Sequence, residues 1–165
     1  MDTDDLYPAA EKVGHTLKGR HLMLATAESC TGGWVGEAVT AVPGSSQWFD
    51  RGFITYTNVS KQEMLGVSAQ TLADHGAVSE QTVREMVAGA LAGSQAGVAL
   101  AVSGIAGPGG AVPGKPVGTV CFAWGGTSGG IVAETRHFAG TREQVRAQAV
   151  RRALEGLLDW LASQA

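Results

Sequence analysis

The chain has 165 residues, 44% of them hydrophobic, with 12 Lys+Arg against 15 Asp+Glu and a formal net charge of −3. That length suits one domain, 1–165, with a real core, while the net acidity gives no electrostatic footprint for nucleic acid. The longest apolar stretch falls well short of the ~18 residues of a membrane span, so no membrane association is expected. The acidic start, Met1 to Asp5, lacks the positive region of a secretory signal. Cys30 and Cys121 are too few for a disulfide framework or a structural zinc site, and a reduced, cytoplasmic domain is expected. The 24 glycines sit at turns between apolar runs, which argues against disorder.

In chain order, Asp4 to about Lys18 spaces Leu6, Ala10, Val13 and Leu17 as one helical face. Leu22 to Ala27 reads as a buried strand, and a turn through Glu28 to Gly33 leads into a helix reaching about Val42, stopped at Pro43-Gly44. Phe53 to Thr57 is β-branched or aromatic and predicts a strand. Asn58 predicts the N-cap of a helix to Leu65, with Gly66 as its stop. A short helix over Ala69 to Asp74 and a longer one capped by Ser79 and running through Leu91 follow. Gly97 to Val102 is again a continuous apolar run. Val117 to Trp124 and Ile131 to Phe138 read as a hairpin, and Thr141 with Gln144 fits a capping box opening a long final helix. Alternating helices and apolar strands imply a layered α/β sheet with one antiparallel pair.

Three loops carry more than connection requires. Thr26 to Gly33 joins a strand to a helix, the place where open α/β sheets bind ligands. Ser29 there could act as a nucleophile, with backbone N–H groups and the helix N-terminus receiving negative charge. Ser29 and Thr31 could equally just cap the helix. In the second loop, Lys61 falls at position N3 if Asn58 is the cap. The helix terminus and partial burial would lower its pKa and make it a usable base; an exposed lysine without a role is the alternative. The third, Ser103 to Pro116, holds five glycines and three prolines in fourteen residues. Loops of that length inside a domain are usually functional, and this one lacks the GxxxxGK[ST] order of a nucleotide P-loop.

Other chemistries find no support. His15, His21, His75 and His137 have no metal-ligand spacing, and no GxSxG elbow surrounds Ser29. Cys30 could be a nucleophile, but no histidine stands at a telling position beside it. The four tryptophans are scattered and suit core or interface better than a stacking platform.

Together the loops resemble the CinA C-terminal domain family, also called the PncC-type nicotinamide mononucleotide amidohydrolases. The resemblance is carried by Thr26-Ala-Glu-Ser-Cys-Thr-Gly-Gly33, Val42-Pro-Gly-Ser-Ser46, Gly52-Phe-Ile-Thr-Tyr-Thr-Asn58 with Lys61, His75-Gly-Ala-Val-Ser-Glu80, Ser103 to Gly110 and Lys115-Pro-Val-Gly-Thr-Val120. These six motifs stand in order from about Leu6 to Leu161. The resemblance implies a three-layer α/β/α sandwich with a mixed, mostly parallel sheet. It also implies a stand-alone deamidase of nicotinamide mononucleotide, without metal or cofactor, assembled as a homo-oligomer. By position, Ser29 resembles the family nucleophile and Lys61 its base, with Tyr56 beside them orienting Lys61 or the amide, unless it is merely a core aromatic.

Substrate contacts are expected from Cys30, Thr31, Gly32 and Gly33 around an oxyanion, and from Ser103, Gly104 and Gly107 in the third loop. Arg142 at the start of the last helix, or Arg146 one turn on, could hold the phosphate. A nucleotide sensor without turnover, a competence or DNA-damage partner, and an amidase for another small carboxamide are the competing readings.

Overall fold

The computed structural model describes residues 6–164. Helix α1 (Tyr7–Gly19) leads to β1 (Leu24–Glu28), α2 (Trp34–Thr40) and, after a 3-10 turn at Ser45–Gln47, β2 (Phe49–Ile54). Three helices follow in succession, α3 (Asn58–Leu65), α4 (Ala69–His75) and α5 (Glu80–Ala92). The chain then runs through β3 (Val98–Gly104), β4 (Thr119–Gly126), β5 (Val132–His137) and α6 (Arg142–Ser163). The expected start of the first helix at Asp4 lies outside the described residues.

The five strands form one sheet in the order β2-β1-β3-β4-β5. β1 pairs parallel with both β2 and β3, while β4 pairs antiparallel with β3 and β5. Four strands therefore run one way and β4 alone runs against them, which makes the sheet mixed and mostly parallel in direction. The period-two alternation of strand side chains builds two different cores. Val98, Leu100, Val102, Val120, Phe122 and Trp124 face α1, α2 and α6, whereas Ala99, Ala101, Cys121 and Ala123 face α5. The bulky face buries the larger aromatic and aliphatic groups, each worth roughly 1.5–3 kcal/mol of transfer free energy. Helix α6 sits close to that face: Trp124 Nε1 donates to Ala153 O at 2.9 Å, and a Cβ at Gly156 would lie 2.0 Å from the Trp124 ring. No other residue type fits there.

Two sequence expectations shift. The second strand is Phe49–Ile54 rather than Phe53 to Thr57, because its pairing with β1 ends at the Glu28–Ile54 register. Thr55 to Thr57 consequently leave the sheet. The cap of α3 is Thr57, not Asn58: its hydroxyl accepts from Ser60 N at 3.1 Å while Ser60 Oγ accepts from Thr57 N at 3.0 Å. That reciprocal pair out-competes Asn58 and moves Lys61 to N4. Gly66, Ser79 and the Thr141–Gln144 capping box take the places expected of them. Among the described residues no helix is long and apolar enough to cross a membrane.

Candidate active site

At the carboxyl end of β1 the chain departs with β2 on one side and β3 on the other, and a crevice opens at such a switch point. Ser29 is the first residue past the strand. Its N–H extends the ladder to Val102 O at 3.0 Å, and its carbonyl accepts from Gly32 N at 3.0 Å to close the turn. Gly32 and Gly33 carry φ of 59° and 105°, a region where glycine is the natural choice.

The turn is organised by a residue the sequence reading passed over. Glu28 is only 2% exposed, and its Oε1 accepts from Thr31 Oγ1 at 2.7 Å, Val35 N at 2.9 Å and Gly33 N at 3.2 Å. Its Oε2 accepts from Gly36 N at 3.0 Å. A buried carboxylate thus saturates the amides at the start of α2, and four hydrogen bonds compensate its desolvation. This corrects one expectation: the α2 terminus and the Gly33 amide are not open to a ligand. The Thr31 hydroxyl is likewise spent on Glu28. Nor do Ser29 and Thr31 cap the helix. In the turn, the N–H groups of Cys30 and Thr31 are the ones left without an acceptor among the described residues. The signal was present: a glutamate ending a wholly buried strand needs donors, and the glycine turn after it supplies them.

Lys61 reaches the same place from α3. It is 1% exposed, and its Nζ lies 2.8 Å from Ser29 Oγ while donating to Thr55 O at 2.8 Å and Tyr56 O at 3.4 Å. Burial pushes its pKa down from 10.5 to about 8, with a small opposing pull from Cys30. As an ammonium, Nζ donates to Ser29 Oγ as well as to the two carbonyls, and the Ser29 hydroxyl donates to Tyr56 O at 3.5 Å. As a neutral amine it satisfies the carbonyls with two N–H groups and can turn its lone pair to Ser29 Oγ. Cys30, by contrast, has its thiol pushed up to about 12 by burial, against the pull of Arg146. Burial therefore favours the thiol over the reactive thiolate there.

A cavity of about 170 Å3 opens over these groups, lined by Ser29, Cys30, Lys61, Ser103, Gly104 and Arg142 among others. Tyr56, Ala77, Val78 and Ala106 complete its wall. The last three were not singled out in the sequence, although Ala77 and Val78 lie in the His75–Glu80 motif. Tyr56 is 57% exposed and beyond the strand, which excludes a core role. Its phenol accepts from Arg142 Nη2 at 3.0 Å, so it meets Lys61 only through its main-chain carbonyl. Arg142 also donates to Gly107 O at 2.8 Å, which strings a bridge across the cavity mouth. Gly107 supplies that carbonyl without lining the cavity, and neither Thr31, Gly32 nor Gly33 lines it. Arg146 turns away behind the loop and binds Cys30 O and Thr31 O. Among the described residues no group of three or more His, Cys, Asp or Glu comes together that could hold a metal ion.

Known proteins share this arrangement of chain. The model of the CinA C-terminal domain matches residues 6–161. The nicotinamide-nucleotide amidohydrolase PncC of Escherichia coli (strain K12) is 49% identical over 157 residues, 95% of either chain. The protein of the same name from Pseudomonas putida is 50% identical over 94% of this chain and 96% of its own. Among solved structures, the competence/damage inducible protein CihA from Agrobacterium tumefaciens superposes with a TM-score of 0.91 at 45% identity, covering 94% of each chain. The competence damage-inducible protein A from Klebsiella pneumoniae gives 0.92 at 43% identity, covering 95% of this chain and 97% of its own. With the fold, the motif order and both kinds of likeness agreeing from end to end, the chain belongs to the CinA C-terminal domain family.

Proposed function

We propose that the chain hydrolyses the carboxamide of nicotinamide mononucleotide to nicotinic acid mononucleotide and ammonia, using Ser29 as nucleophile and Lys61 as base. The observation that carries the reading is the buried Lys61 amine 2.8 Å from Ser29 Oγ, with its pKa lowered to about 8. The names of the PncC relatives, which match 95% of this chain in E. coli and 94% in P. putida, support the substrate class.

In the first half-reaction, neutral Lys61 takes the Ser29 proton as Oγ attacks the carboxamide carbon. The oxyanion falls to the free N–H of Cys30, which lines the cavity, and one such donor is worth about 2.7–4 kcal/mol in the transition state. The Lys61 ammonium returns its proton to the departing nitrogen, and ammonia leaves an acyl-Ser29. Water then attacks that ester, Lys61 takes its proton, and Ser29 recovers it as the acid is released. Ser103, 1% exposed, lines the cavity, and we assign it to holding the amide or the ring.

The cavity is smaller than the several hundred Å3 usual for a whole ligand, so it takes the carboxamide end, and ribose and phosphate lie at the mouth. There Arg142 offers the cation. A wider groove of about 510 Å3 alongside shares Val78 and carries charges of both signs, Asp74 and Glu80 against Lys115. The test is ammonia release from nicotinamide mononucleotide by the purified chain, with and without EDTA. Equal release in both is expected; saturable binding without ammonia would replace the enzyme by a sensor, and turnover only of other carboxamides would replace the substrate.

A further inference from the structure

Val78 stands between two spaces. It lines the cavity of about 170 Å3 over Ser29 and also the groove of about 510 Å3 alongside, and among the described residues no other lines both. The floors of the two spaces adjoin as well. Ser103 of the cavity and Cys121 of the groove are paired across β3 and β4, which sets their Cβ atoms roughly 5 Å apart on the α5 face of the sheet. One side chain's width separates the reaction chamber from a much larger space.

That side chain is held in place. Val78 belongs to the link between α4 and α5, where Gly76 O accepts from Ser79 Oγ at 2.9 Å and from Thr82 Oγ1 at 2.7 Å. From the long third loop, Lys115 Nζ donates to His75 O and ties the link on its other side. Ala77 and Val78 pack on the cluster that holds Leu72, Val83 and Met86. A β-branched side chain has few rotamers to turn to, so Val78 forms a stiff wall. Helix α3 joins the same cluster through Leu65 and carries Lys61 in that layer. Lys61 hands its proton to the departing nitrogen, so the nitrogen end of the carboxamide faces the layer that Val78 walls.

We propose that Val78 is a specificity-determining residue, closing the nitrogen end of the cavity against the groove and so restricting turnover to an unsubstituted carboxamide. The inference rests on the Ser29 deamidase reading above. An NH2 group fits against the Val78 methyls, whereas an alkyl group on the nitrogen needs the volume they fill. Shortening Val78 to alanine removes two methyl groups and joins the cavity to the groove, which leaves room for such a substituent.

The experiment measures kcat/KM for nicotinamide mononucleotide and for its N-methylcarboxamide analogue, by formation of nicotinic acid mononucleotide. Wild type, Val78→Ala, Val78→Thr and Val78→Ile are compared, each checked for folding by circular dichroism. One methyl group in a closed pocket is worth about 10–200-fold, so Val78→Ala should cut the preference for the primary amide by a factor in that range. Val78→Thr, of the same shape, should keep the wild-type preference. The ratio between variants cancels the lower intrinsic reactivity of the substituted amide. Val78→Ile reads the wall from the other side and covers a Val78→Ala chain that does not fold. Its extra methylene should lower kcat/KM for nicotinamide mononucleotide itself about tenfold or more. An unchanged preference in folded Val78→Ala would overturn the proposal, as would full activity of Val78→Ile or a wild type that takes both amides equally. A wild type that forms no acid from nicotinamide mononucleotide would remove the deamidase reading itself and this one with it.

Discussion

The floor and the mouth of the cavity over Ser29 are held by opposite means. On the floor, Ser29, Glu28 and Lys61 are each less than 8% exposed, and every one is tied to main-chain atoms or to another buried group. At the mouth, Tyr56 is 57% exposed, and its side chain is held by a phenol–guanidinium bond to Arg142 while its carbonyl accepts from Lys61. Packing and saturated hydrogen bonds give the floor one geometry, which the chemical step needs. Few buried contacts hold the mouth, so it belongs to the part of the protein that opens at low cost. Floor substitutions should accordingly register in kcat, and mouth substitutions in KM.

Ser29→Ala should break this contrast hardest, lowering kcat by about 10⁴-fold or more while the circular dichroism spectrum and substrate affinity persist. Retention of more than a few per cent of the wild-type rate would remove Ser29 as nucleophile. Next comes Lys61→Met, which should be inactive and yet more stable at neutral pH. The folded pKa of about 8 lies below the ordinary 10.5, so between those values the unfolded chain holds a proton that the folded one lacks. Wild-type stability therefore rises with pH across that window, and below it the buried ammonium is a full burden. Urea titration should find Lys61→Met stabler by about 1–2 kcal/mol at pH 7, after the loss of its hydrogen bonds to the carbonyls. The advantage should shrink from pH 8 upward.

At the mouth, Arg142→Ala should raise KM for the mononucleotide about tenfold, the worth of one charge-assisted contact to phosphate, and leave kcat within about threefold. Nicotinamide riboside, which has no phosphate, should not feel the change, and an equal effect on both substrates would reassign Arg142 to holding Tyr56. The smallest effect belongs to Cys30→Ala. Its thiol is buried and protonated, so a loss of about 1 kcal/mol of stability and little change in kcat are expected by the same assays. A large loss of kcat would reopen the cysteine as nucleophile.

What the sequence made legible follows the range of the forces involved. Caps and stops act within four residues, and Ser79, Gly66 and the Thr141–Gln144 pair could be placed from composition alone. Strand β2 was displaced because Phe53 to Thr57 has the higher β propensity, while the pairing partner Glu28 ends the ladder at Ile54. Thr55 and Tyr56 thereby become loop residues whose carbonyls hold Lys61, a role that propensity does not predict. Ser29 and Lys61 were visible as candidates, but their partnership across 32 residues came from the family resemblance and not from spacing. Arg142 and Arg146 are one helical turn apart, and nothing local separates them. One faces the mouth and the other the back of the turn only because α6 packs against β3, β4 and α2 at one fixed rotation.

The central claim is that a buried, neutral Lys61 activates Ser29, and the pH dependence of kcat/KM for nicotinamide mononucleotide tests it most directly. The profile should rise about tenfold per pH unit on the acid side and level off above a midpoint near 8, reporting deprotonation of Lys61 in the free enzyme. Lys61→Arg should show no rise at all, because a guanidinium does not give up its proton in this range. A profile flat from about pH 6 to 9, or an active Lys61→Arg enzyme, would contradict the base assignment and leave the lysine as a fixed charge beside the nucleophile.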